Sequence, residues 1–357
     1  MLPSRNTSEI VKIGETNLTS ILLIRLSSLG DIVLTSPAIR AVRSHFPNAR
    51  ISMLVASQSA DLLTENPHLD EVIQFDRHAK GKDTAEMVRL FRVLRERQFD
   101  LTIDFQRKFR TSLLAYSSGA KCRVGYHQPN GILCSVRVPD SSGHAIDRYF
   151  GLLHAVGIEA KDRTLELFIT ESDRTYAREA MEKQSISVDR PTVGLFPGAG
   201  WKLREWMPDR FAAIGDRLVK DFDAQVLVFG GPNECQLVNH VIDLMTEQAT
   251  SFAGNYPIRR MAALIERCDL FLTNDTGPMH IAAALRTPTI ALFGPGNHVR
   301  FQPLDPIHST VRHEVPCNPC KQFTNRCKDN VCMKLITVDE VWETVCQRMN
   351  RKLNLVQ

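Results

Sequence analysis

One stretch in the last third of the chain constrains the fold more than any other. The octapeptide TNDTGPMH, residues 273–280, follows a short apolar run at 268–272 and precedes a second one at 281–285. A third apolar run, residues 289–293, then ends at a Gly-Pro-Gly turn. Short apolar runs separated by polar turns predict the order strand, turn, helix, strand. Such a unit is the building block of a parallel sheet covered by helices.

The polar turn in this unit has the composition of an anion site. Asn274 or Asp275 is expected to cap the following helix, and Pro278 suits its first turn. Gly277 allows the backbone to approach a ligand closely. The free N–H groups of a helix start, at the carboxyl end of a parallel strand, bind anions such as pyrophosphate. An ordinary capped turn is the alternative for such a motif taken alone.

The same alternation runs through the whole chain. Strands are predicted at residues 21–24, 51–55, 72–75, 101–103, 192–196, 226–229, 270–273 and 289–293, with helices at 83–97, 171–184, 208–220 and 235–245. The fold class is therefore α/β with two parallel-sheet domains. We predict a loose extension over residues 1–19, a first domain over 20–165, a linker region over 166–190 and a second domain over 191–357.

Length and charge bound the possible partners. The 357 residues suit two domains, and no apolar run approaches the ~20 residues of a membrane span. The N-terminus lacks an apolar signal core, which favours a cytoplasmic protein. The net charge of +4 divides into +5 for residues 1–165 and −1 for the remainder. The first half therefore favours an anionic partner, but no motif or aromatic-interleaved basic stripe predicts nucleic-acid binding.

Four blocks together resemble the heptosyltransferase family, also called glycosyltransferase family 9. They are the SSLGDIVLTSPA segment at 27–38, VGLFPGAG with the following loop at 193–210, FGGPNE at 229–234, and the 273–280 octapeptide. The resemblance implies the glycosyltransferase B arrangement, in which two Rossmann-like domains face each other across a cleft. It also implies an inverting transferase that needs no metal or other cofactor, with an acceptor site in the first domain and a sugar-nucleotide site in the second.

Within the family, the chain is most similar to enzymes that move heptose from ADP-heptose to the inner core of lipopolysaccharide. The general form of the octapeptide and the late cysteines favour the type that adds the second heptose. The expected partners are a sugar nucleotide and an anionic lipopolysaccharide acceptor, with peripheral contact at the cytoplasmic face of the inner membrane. The alternatives are a relative acting on a protein or another glycan, a nucleotide-sugar epimerase, and a non-enzymatic metal-binding module.

Asp31 is the expected catalytic base. It follows the first predicted strand and Gly30, and on the residues alone an Asp there is a helix N-cap. The resemblance assigns the matching Asp to proton removal from the acceptor hydroxyl. Inverting transfer needs such a base, whereas the diphosphate leaving group needs no acid.

The resemblance also names a donor site and, less specifically, an acceptor site. A departing diphosphate gains charge and needs cations and N–H donors, and a carboxylate suits the ribose hydroxyls. The donor candidates are Lys202, Arg204, Glu234, Asp275, Thr276, Gly277, Pro278, Met279 and His280. Basic residues after the strand at 101–103, and others further along, are the acceptor candidates: Arg107, Lys108, Arg110, Lys121, Arg123 and His144. Arg204 stands where a Lys is common in the family. The alternative for each of these cations is a solvated surface charge. The alternative for His280 is a buried structural histidine.

Four late cysteines form the pattern C-x₂-C-x₆-C-x₄-C: Cys317, Cys320, Cys327 and Cys332. Four thiolates so close in sequence could bind Zn²⁺ or iron. The spacing departs from that of two paired knuckles, however, and a cytoplasmic enzyme keeps its thiols reduced. We therefore predict no metal site and regard these residues as thiols, reduced or partly disulfide-linked.

Overall fold

The computed structural model describes residues 18–76, 83–127, 132–254, 256–320 and 327–356. The chain divides into two compact units, residues 1–168 and 169–357. The division falls within the stretch predicted as a linker region. Most of the predicted N-terminal extension, residues 1–17, lies outside the described residues.

The first unit is a six-stranded parallel sheet with helices between its strands. Its elements are β1 (Ser20–Ile24), α1 (Leu29–Leu34), α2 (Ser36–His45), β2 (Arg50–Ala56), α3 (Ser57–Ala60), β3 (Glu71–Phe75), α4 (Asp83–Glu96), β4 (Leu101–Asp104), α5 (Phe109–Ser117), β5 (Cys122–Tyr126), β6 (Val136–Val138) and α6 (Ala145–His154). The strand order is β3-β2-β1-β4-β5-β6. Each strand is joined to the next along the chain by a crossover, as a Rossmann-like fold requires.

The second unit repeats this plan with a longer helical end. Its elements are α7 (Glu171–Lys183), β7 (Thr192–Phe196), α8 (Pro208–Phe222), β8 (Gln225–Gly230), α9 (Cys235–Leu244), β9 (Ala249–Ala253), α10 (Ile258–Glu266), β10 (Leu270–Asn274), α11 (Gly277–Ala284), β11 (Thr289–Phe293), α12 (His298–Phe301), β12 (Ser309–Arg312), α13 (Val331–Lys334) and α14 (Val338–Val356). The strand order is β12-β11-β10-β7-β8-β9, again all parallel.

The predicted α/β class with two parallel sheets is confirmed, and all eight predicted strands are present. Four further strands were not predicted, namely β5, β6, β9 and β12. β6, β9 and β12 are edge strands, and all four contain partly exposed residues, so they lack the continuous apolar run of a central strand. The connection after β1 contains two helices, α1 and α2, which are divided at Thr35.

The strand order places the carboxyl ends of two central strands side by side in each unit. β1 pairs with β4 in the first sheet, with Ile24 opposite Asp104, and β7 pairs with β10 in the second. The chain runs outward in opposite directions from each of these pairs, which opens a crevice where α/β folds bind ligands. None of the helices in the described part of the chain has both the length and the apolar character that a membrane crossing requires.

Adding one methyl group to a central strand should test how tightly the second core is packed. A Cβ at Gly194 in β7 would lie 2.6 Å from Phe271 and 2.9 Å from Phe229, two aromatic rings in edge-to-face contact. Gly194→Ala should therefore lower the free energy of unfolding by ~1–3 kcal/mol.

Gly151→Ala is the matched control, because a Cβ there meets no atom within 4 Å and the residue lies inside α6. It should stabilise the protein by roughly 0.5–1 kcal/mol. Denaturant titrations that show the same effect for both variants would contradict this packing.

Candidate active site

Asp31 lies at the first crossover, just after the carboxyl end of β1. The helix begins at Leu29 with Ser28 as its N-cap, so Asp31 is the third residue of α1 and not a cap itself. Its Oδ2 accepts hydrogen bonds from the amide and the hydroxyl of Ser28, both at 3.0 Å. Capping at the helix start therefore orients this carboxylate, although the N-cap is Ser28 and not Asp31 as the sequence alone suggested. The capping contacts occupy only one of the two carboxylate oxygens.

The second oxygen of Asp31 faces partners from distant parts of the first unit. Oδ1 lies 2.7 Å from Nη2 of Arg25 and accepts a hydrogen bond from the Tyr149 hydroxyl at 3.3 Å. Burial raises the pKa of the Asp31 carboxyl, but the charge of Arg25 and the Ser28 donors outweigh it and hold the pKa below its usual value. The carboxylate is thus ionised at neutral pH, and 18% of the side chain remains exposed.

Arg25 is itself fixed by two further contacts. Its Nη1 donates to the carbonyl of Phe105 at 2.6 Å, and its guanidinium lies over the ring of Tyr149, 5.6 Å from the centroid. Neither Arg25 nor Tyr149 was predicted from the sequence. Arg25 lies six residues before Asp31 and Tyr149 lies in α6, so no local spacing relates them to the carboxylate.

Gln106 holds the loop that leads to Asp31. Its Oε1 accepts hydrogen bonds from the amides of Leu26 and Ser27 at 2.7 and 3.2 Å, and its Nε2 donates to the Ser27 hydroxyl at 3.0 Å. The sequence drew attention to the cations that follow β4. The residue of this segment that contacts the loop is instead Gln106, through its buried side-chain amide. The carboxyl ends of β1 and β4 are joined in this way because the two strands are neighbours.

Asp104, the last residue of β4, is a second carboxyl group next to Gln106. It is 1% exposed and accepts a hydrogen bond from the Gln106 amide at 2.9 Å. Burial raises the pKa of Asp104 to about 7, although hydrogen bonds from Thr111 and Gln106 and the charge of Arg25 act against it. The first unit therefore holds two carboxyl groups whose pKa values are shifted in opposite directions.

The predicted acceptor residues are only partly brought together. Arg107 forms an ion pair with Asp140, which also pairs with the buried Arg148. Lys108 and Arg110 are exposed at the start of α5, two and four residues beyond Gln106.

Arg123 and His144 have local structural roles. Arg123 lies near the amino end of β5, and its guanidinium donates to the carbonyls of Leu133 and Ala120. His144 is the buried N-cap of α6 and accepts a hydrogen bond from the Ile146 amide. The structure does not bring Arg123 to the carboxyl ends of the strands, where Asp31 and Gln106 lie.

In the second unit, the octapeptide begins as the end of β10 and continues into α11. The N-cap is Thr276, so the expectation that Asn274 or Asp275 caps the helix was wrong. Asn274 is buried in the strand, and its side chain instead joins the Trp206 amide at 3.1 Å to the Pro197 carbonyl at 2.8 Å. The side-chain amide of Asn274 therefore joins three loops and does not cap the helix. The first turn of α11, whose N–H groups have no partner within the helix, begins after Thr276.

An ion pair adjoins this helix start. Nη1 of Arg204 lies 3.2 Å from Oδ2 of Asp275, and the guanidinium lies over the ring of Trp201. Asp275 is 3% exposed, so its charge is buried and balanced by Arg204. Lys202 begins the same 3₁₀ turn as Arg204 and is exposed. Both predicted cations thus lie on one turn, but only Arg204 contacts the octapeptide.

Glu234 lies beside the same group of loops. Its Oε2 accepts a hydrogen bond from the Gly231 amide at 2.7 Å, and its Oε1 packs against Gly198, where an added Cβ would lie 2.1 Å away. Burial raises the pKa of the nearby Glu205 carboxyl, as does the charge of Glu234, while Lys202 lowers it. Glu205 was not predicted as part of this site, although it follows Arg204 directly.

The sequence profile of glycosyltransferase family 9 (heptosyltransferase) matches residues 87–330, which is more than half of the chain. The chain belongs to glycosyltransferase family 9. The resemblance carried by the four sequence blocks is therefore confirmed, and the protein is a glycosyltransferase.

Relatives of this glycosyltransferase share most of its length. Lipopolysaccharide heptosyltransferase 2 of Escherichia coli K12 is 28% identical over 308 residues, covering 82% of this chain and 87% of the relative. Lipopolysaccharide heptosyltransferase 3 of the same strain is 28% identical over 292 residues, covering 77% and 82%.

Solved structures of the family show the same fold. The family 9 transferase from Veillonella parvula matches with a TM-score of 0.82 at 23% identity, covering 96% of this chain and 99% of that one. The ADP-heptose lipopolysaccharide heptosyltransferase II of E. coli matches with a TM-score of 0.78 at 23% identity, covering 94% and 99%.

The donor-site candidates at residues 276–280 of this transferase differ in solvent exposure. Thr276 and Gly277 are partly exposed, whereas Pro278, Met279 and His280 are buried in α11. His280 lies edge-on to the ring of Phe301 at 6.4 Å between centroids. The structural role considered for His280 fits this burial, and the partly exposed Thr276 and Gly277 present the helix start.

The late cysteines lie in one region of the second unit, where Cys317 and Cys327 both influence the pKa of Cys332. Among the described residues, no group of three or more histidine, cysteine or acidic side chains is arranged to hold a metal ion. Cys317, Cys320, Cys327 and Cys332 are free thiols, and residues 321–326 between them lie outside the described range. Burial raises the pKa of the Cys332 thiol, so this thiol is uncharged at neutral pH.

Replacing Asp104 with Asn should change how stability depends on pH. The folded-state pKa of Asp104, about 7, lies above the ~3.9 of a free carboxyl. The stability that its protonated form contributes is complete below the lower value and is lost as pH rises through the higher one. Relative to wild type, the free energy of unfolding of the Asn variant should rise by up to ~4 kcal/mol over this range.

Asp100→Asn, at the other end of β4, is the control with the opposite sign. The pKa of Asp100 is lowered, because hydrogen bonds from Thr19 and Ser20 outweigh the effect of burial, which raises it. Its stabilising contribution is present above the free-carboxyl pKa and is lost as pH falls. Urea titrations at several pH values provide the measurement, and parallel pH profiles for wild type and Asp104→Asn would refute the assignment.

Proposed function

We propose that the chain transfers heptose from ADP-L-glycero-D-manno-heptose to the inner core of lipopolysaccharide, with inversion at the anomeric carbon. The names of two relatives support the sugar and the acceptor class. One observation carries the chemistry, namely the ionised and partly exposed carboxylate of Asp31 at the crossover of the first sheet. A base in that state can take a proton from a sugar hydroxyl as the hydroxyl attacks.

In the proposed step the acceptor oxygen forms a bond to the anomeric carbon, and the bond from that carbon to the diphosphate breaks. The electron pair of the broken bond leaves with ADP, and the hydroxyl proton passes to Asp31. Because the pKa of Asp31 is lowered, the base is a weak one, and proton transfer occurs once the attack has made the hydroxyl acidic. No second carboxyl group is needed, because a nucleoside diphosphate is already a good leaving group.

The acceptor must displace one of the present donors to Asp31. A carboxylate has about four lone-pair positions, and Arg25, Tyr149 and the two Ser28 groups supply four donors. The Tyr149 contact is the longest at 3.3 Å, and we infer that the acceptor hydroxyl replaces it. Arg25 and the Ser28 amide then keep the carboxylate oriented.

For the donor, we propose that the diphosphate binds at the start of α11. The N–H groups of Thr276 and Gly277 and the positive end of the helix dipole suit an anion there. Arg204 and Lys202 add positive charge from the adjacent turn, in place of the divalent metal that other transferases use. Glu234, beside Gly198, is placed to accept hydrogen bonds from the ribose hydroxyls.

We also propose that the enzyme works in the cytoplasm and uses no cofactor beyond its donor. Among the acceptor candidates we favour Lys108 and Arg110, since both are exposed and follow Gln106, whose side chain holds the loop of Asp31, within four residues. The alternative function is a family 9 transferase that acts on another glycan or on a protein.

Asp31→Asn should reduce transfer by ~10²–10⁴ and leave ADP affinity within a few-fold, because it removes only the base. The measurement is mass spectrometry of products after incubation with ADP-heptose and a panel of core oligosaccharides, other glycans and peptides, in the presence of EDTA. Asp209→Asn is the control, since Asp209 is an exposed acid in the first turn of α8. Near-wild-type turnover of the Asp31 variant would rule out its role, and activity only with added Mg²⁺ would rule out metal independence.

Arg204→Ala and Glu234→Gln should each weaken ADP binding by the ~1.5–3 kcal/mol typical of a charge-assisted hydrogen bond. Because Arg204→Ala leaves the buried Asp275 without its ion-pair partner, the thermal stability of this variant is measured alongside. Arg217→Ala is the control, since Arg217 pairs with the exposed Asp339. Calorimetry that finds unchanged ADP affinity in both site variants would show that the donor site is elsewhere.

A further inference from the structure

The first unit has a cavity at the amino ends of its strands, the edge opposite to Asp31. The cavity has a volume of about 530 Å³, and its walls include residues at the starts of the neighbouring strands β1, β4 and β5. A volume in this range is typical of sites for small molecules. From Asp100, in the cavity wall, to Asp104, β4 rises ~13 Å at ~3.3 Å per residue, so a ligand here would not touch the candidate base.

Two cations line this cavity without a partner among the described residues. Arg95 lies in the last turn of α4, and Lys121 lies just before β5; both side chains are exposed. The guanidinium of Arg95 packs against Gly119, which has a φ of +77° and where a Cβ would overlap the guanidinium. The sequence suggested Lys121 as an acceptor residue, but it lies at the edge of the sheet away from Asp31.

The acceptor groups around these two cations are already used. Oδ2 of Asp100 accepts three hydrogen bonds, from the amide and hydroxyl of Thr19 and from the amide of Ser20, at 2.8 to 3.0 Å. Carbonyl oxygens in the last turn of α5 accept hydrogen bonds from the residues that follow them, namely those of Leu114, Ala115 and Tyr116. The donors of Arg95 and Lys121 are therefore left for a ligand, and two cations against one carboxylate favour an anion.

We propose that this cavity binds a soluble phosphomonoester, whose phosphoryl group is held by Arg95 and Lys121. A phosphoryl group carries close to two negative charges at neutral pH, which matches the two cations. The planar guanidinium can donate to two of its oxygens at once. The buried ring of Phe99 and the half-buried Leu18 supply apolar surface for the organic part of the ligand. This site is independent of the proposed function, because it shares no residue with the donor site or with Asp31.

The test is calorimetric titration of the full chain with glucose 6-phosphate in the presence of saturating ADP, which occupies the proposed donor site. Wild type should bind one equivalent of glucose 6-phosphate, should bind inorganic phosphate more weakly and should not bind glucose. Binding should weaken as salt is raised, since both cations are exposed. Arg95→Gln and Lys121→Gln should each weaken binding roughly tenfold, because each removes a charge-assisted hydrogen bond. Arg95→Lys, which keeps the charge, should retain part of the affinity.

Arg92→Gln is the matched control, since Arg92 is an exposed arginine on α4 that does not line the cavity. It should bind glucose 6-phosphate as wild type does. Failure of wild type to bind glucose 6-phosphate would overturn the proposal, as would equal weakening in Arg92→Gln and Arg95→Gln. Binding that disappears when ADP is added would also overturn it, because the ligand would then occupy the donor site. Equal affinity for glucose and glucose 6-phosphate would rule out the role of the phosphoryl group.

Discussion

Parallel pairing between strands distant in sequence is the constraint on which both candidate sites depend. β1 pairs with β4, about 80 residues further along, and β7 pairs with β10 after a similar separation. Each pairing brings two loop starts to the same edge of a sheet. In the first unit this allows Gln106 to hydrogen-bond the loop that leads to Asp31. In the second it allows Asn274 to hydrogen-bond the segments at Pro197 and Trp206.

In each unit, an arginine also contacts a carboxylate near the carboxyl ends of the two central strands. Arg25 contacts Asp31 in the first unit, and Arg204 contacts Asp275 in the second. Such pairs are weak contributors to stability, because the desolvation of both charges offsets their attraction. Their value here lies in orientation. The arginine of the first pair keeps the candidate base ionised, and that of the second brings a cation beside the start of α11, where the diphosphate of a donor is proposed to bind.

Charge is distributed unevenly around these pairs, in a way that suits the proposed partners. In the first unit, residues 105–139 include six lysines and arginines and no acid, and this stretch begins next to Gln106. In the second unit, Glu234 and Glu205 lie close to Lys202 and Arg204, so acids and cations alternate around one group of loops. An excess of cations favours an anionic acceptor, while a mixed site can bind both the diphosphate and the hydroxyl groups of a sugar nucleotide.

The sequence by itself determined the α/β class, the central strands and the family, because apolar runs and turn residues act locally and the four motif blocks are contiguous. It also assigned Asp31, Arg204 and Glu234 to the connections that follow strands, within eight residues of a strand's carboxyl end. Tertiary structure alone decided that Arg25 and Tyr149 contact Asp31 and that Gln106 holds the loop before it. It also decided that Thr276 and not Asn274 caps α11, and that Asp104 is buried with a raised pKa. These contacts join residues up to 118 positions apart. Only the pairing of distant strands and helices brings such residues together, and no spacing in the sequence encodes it.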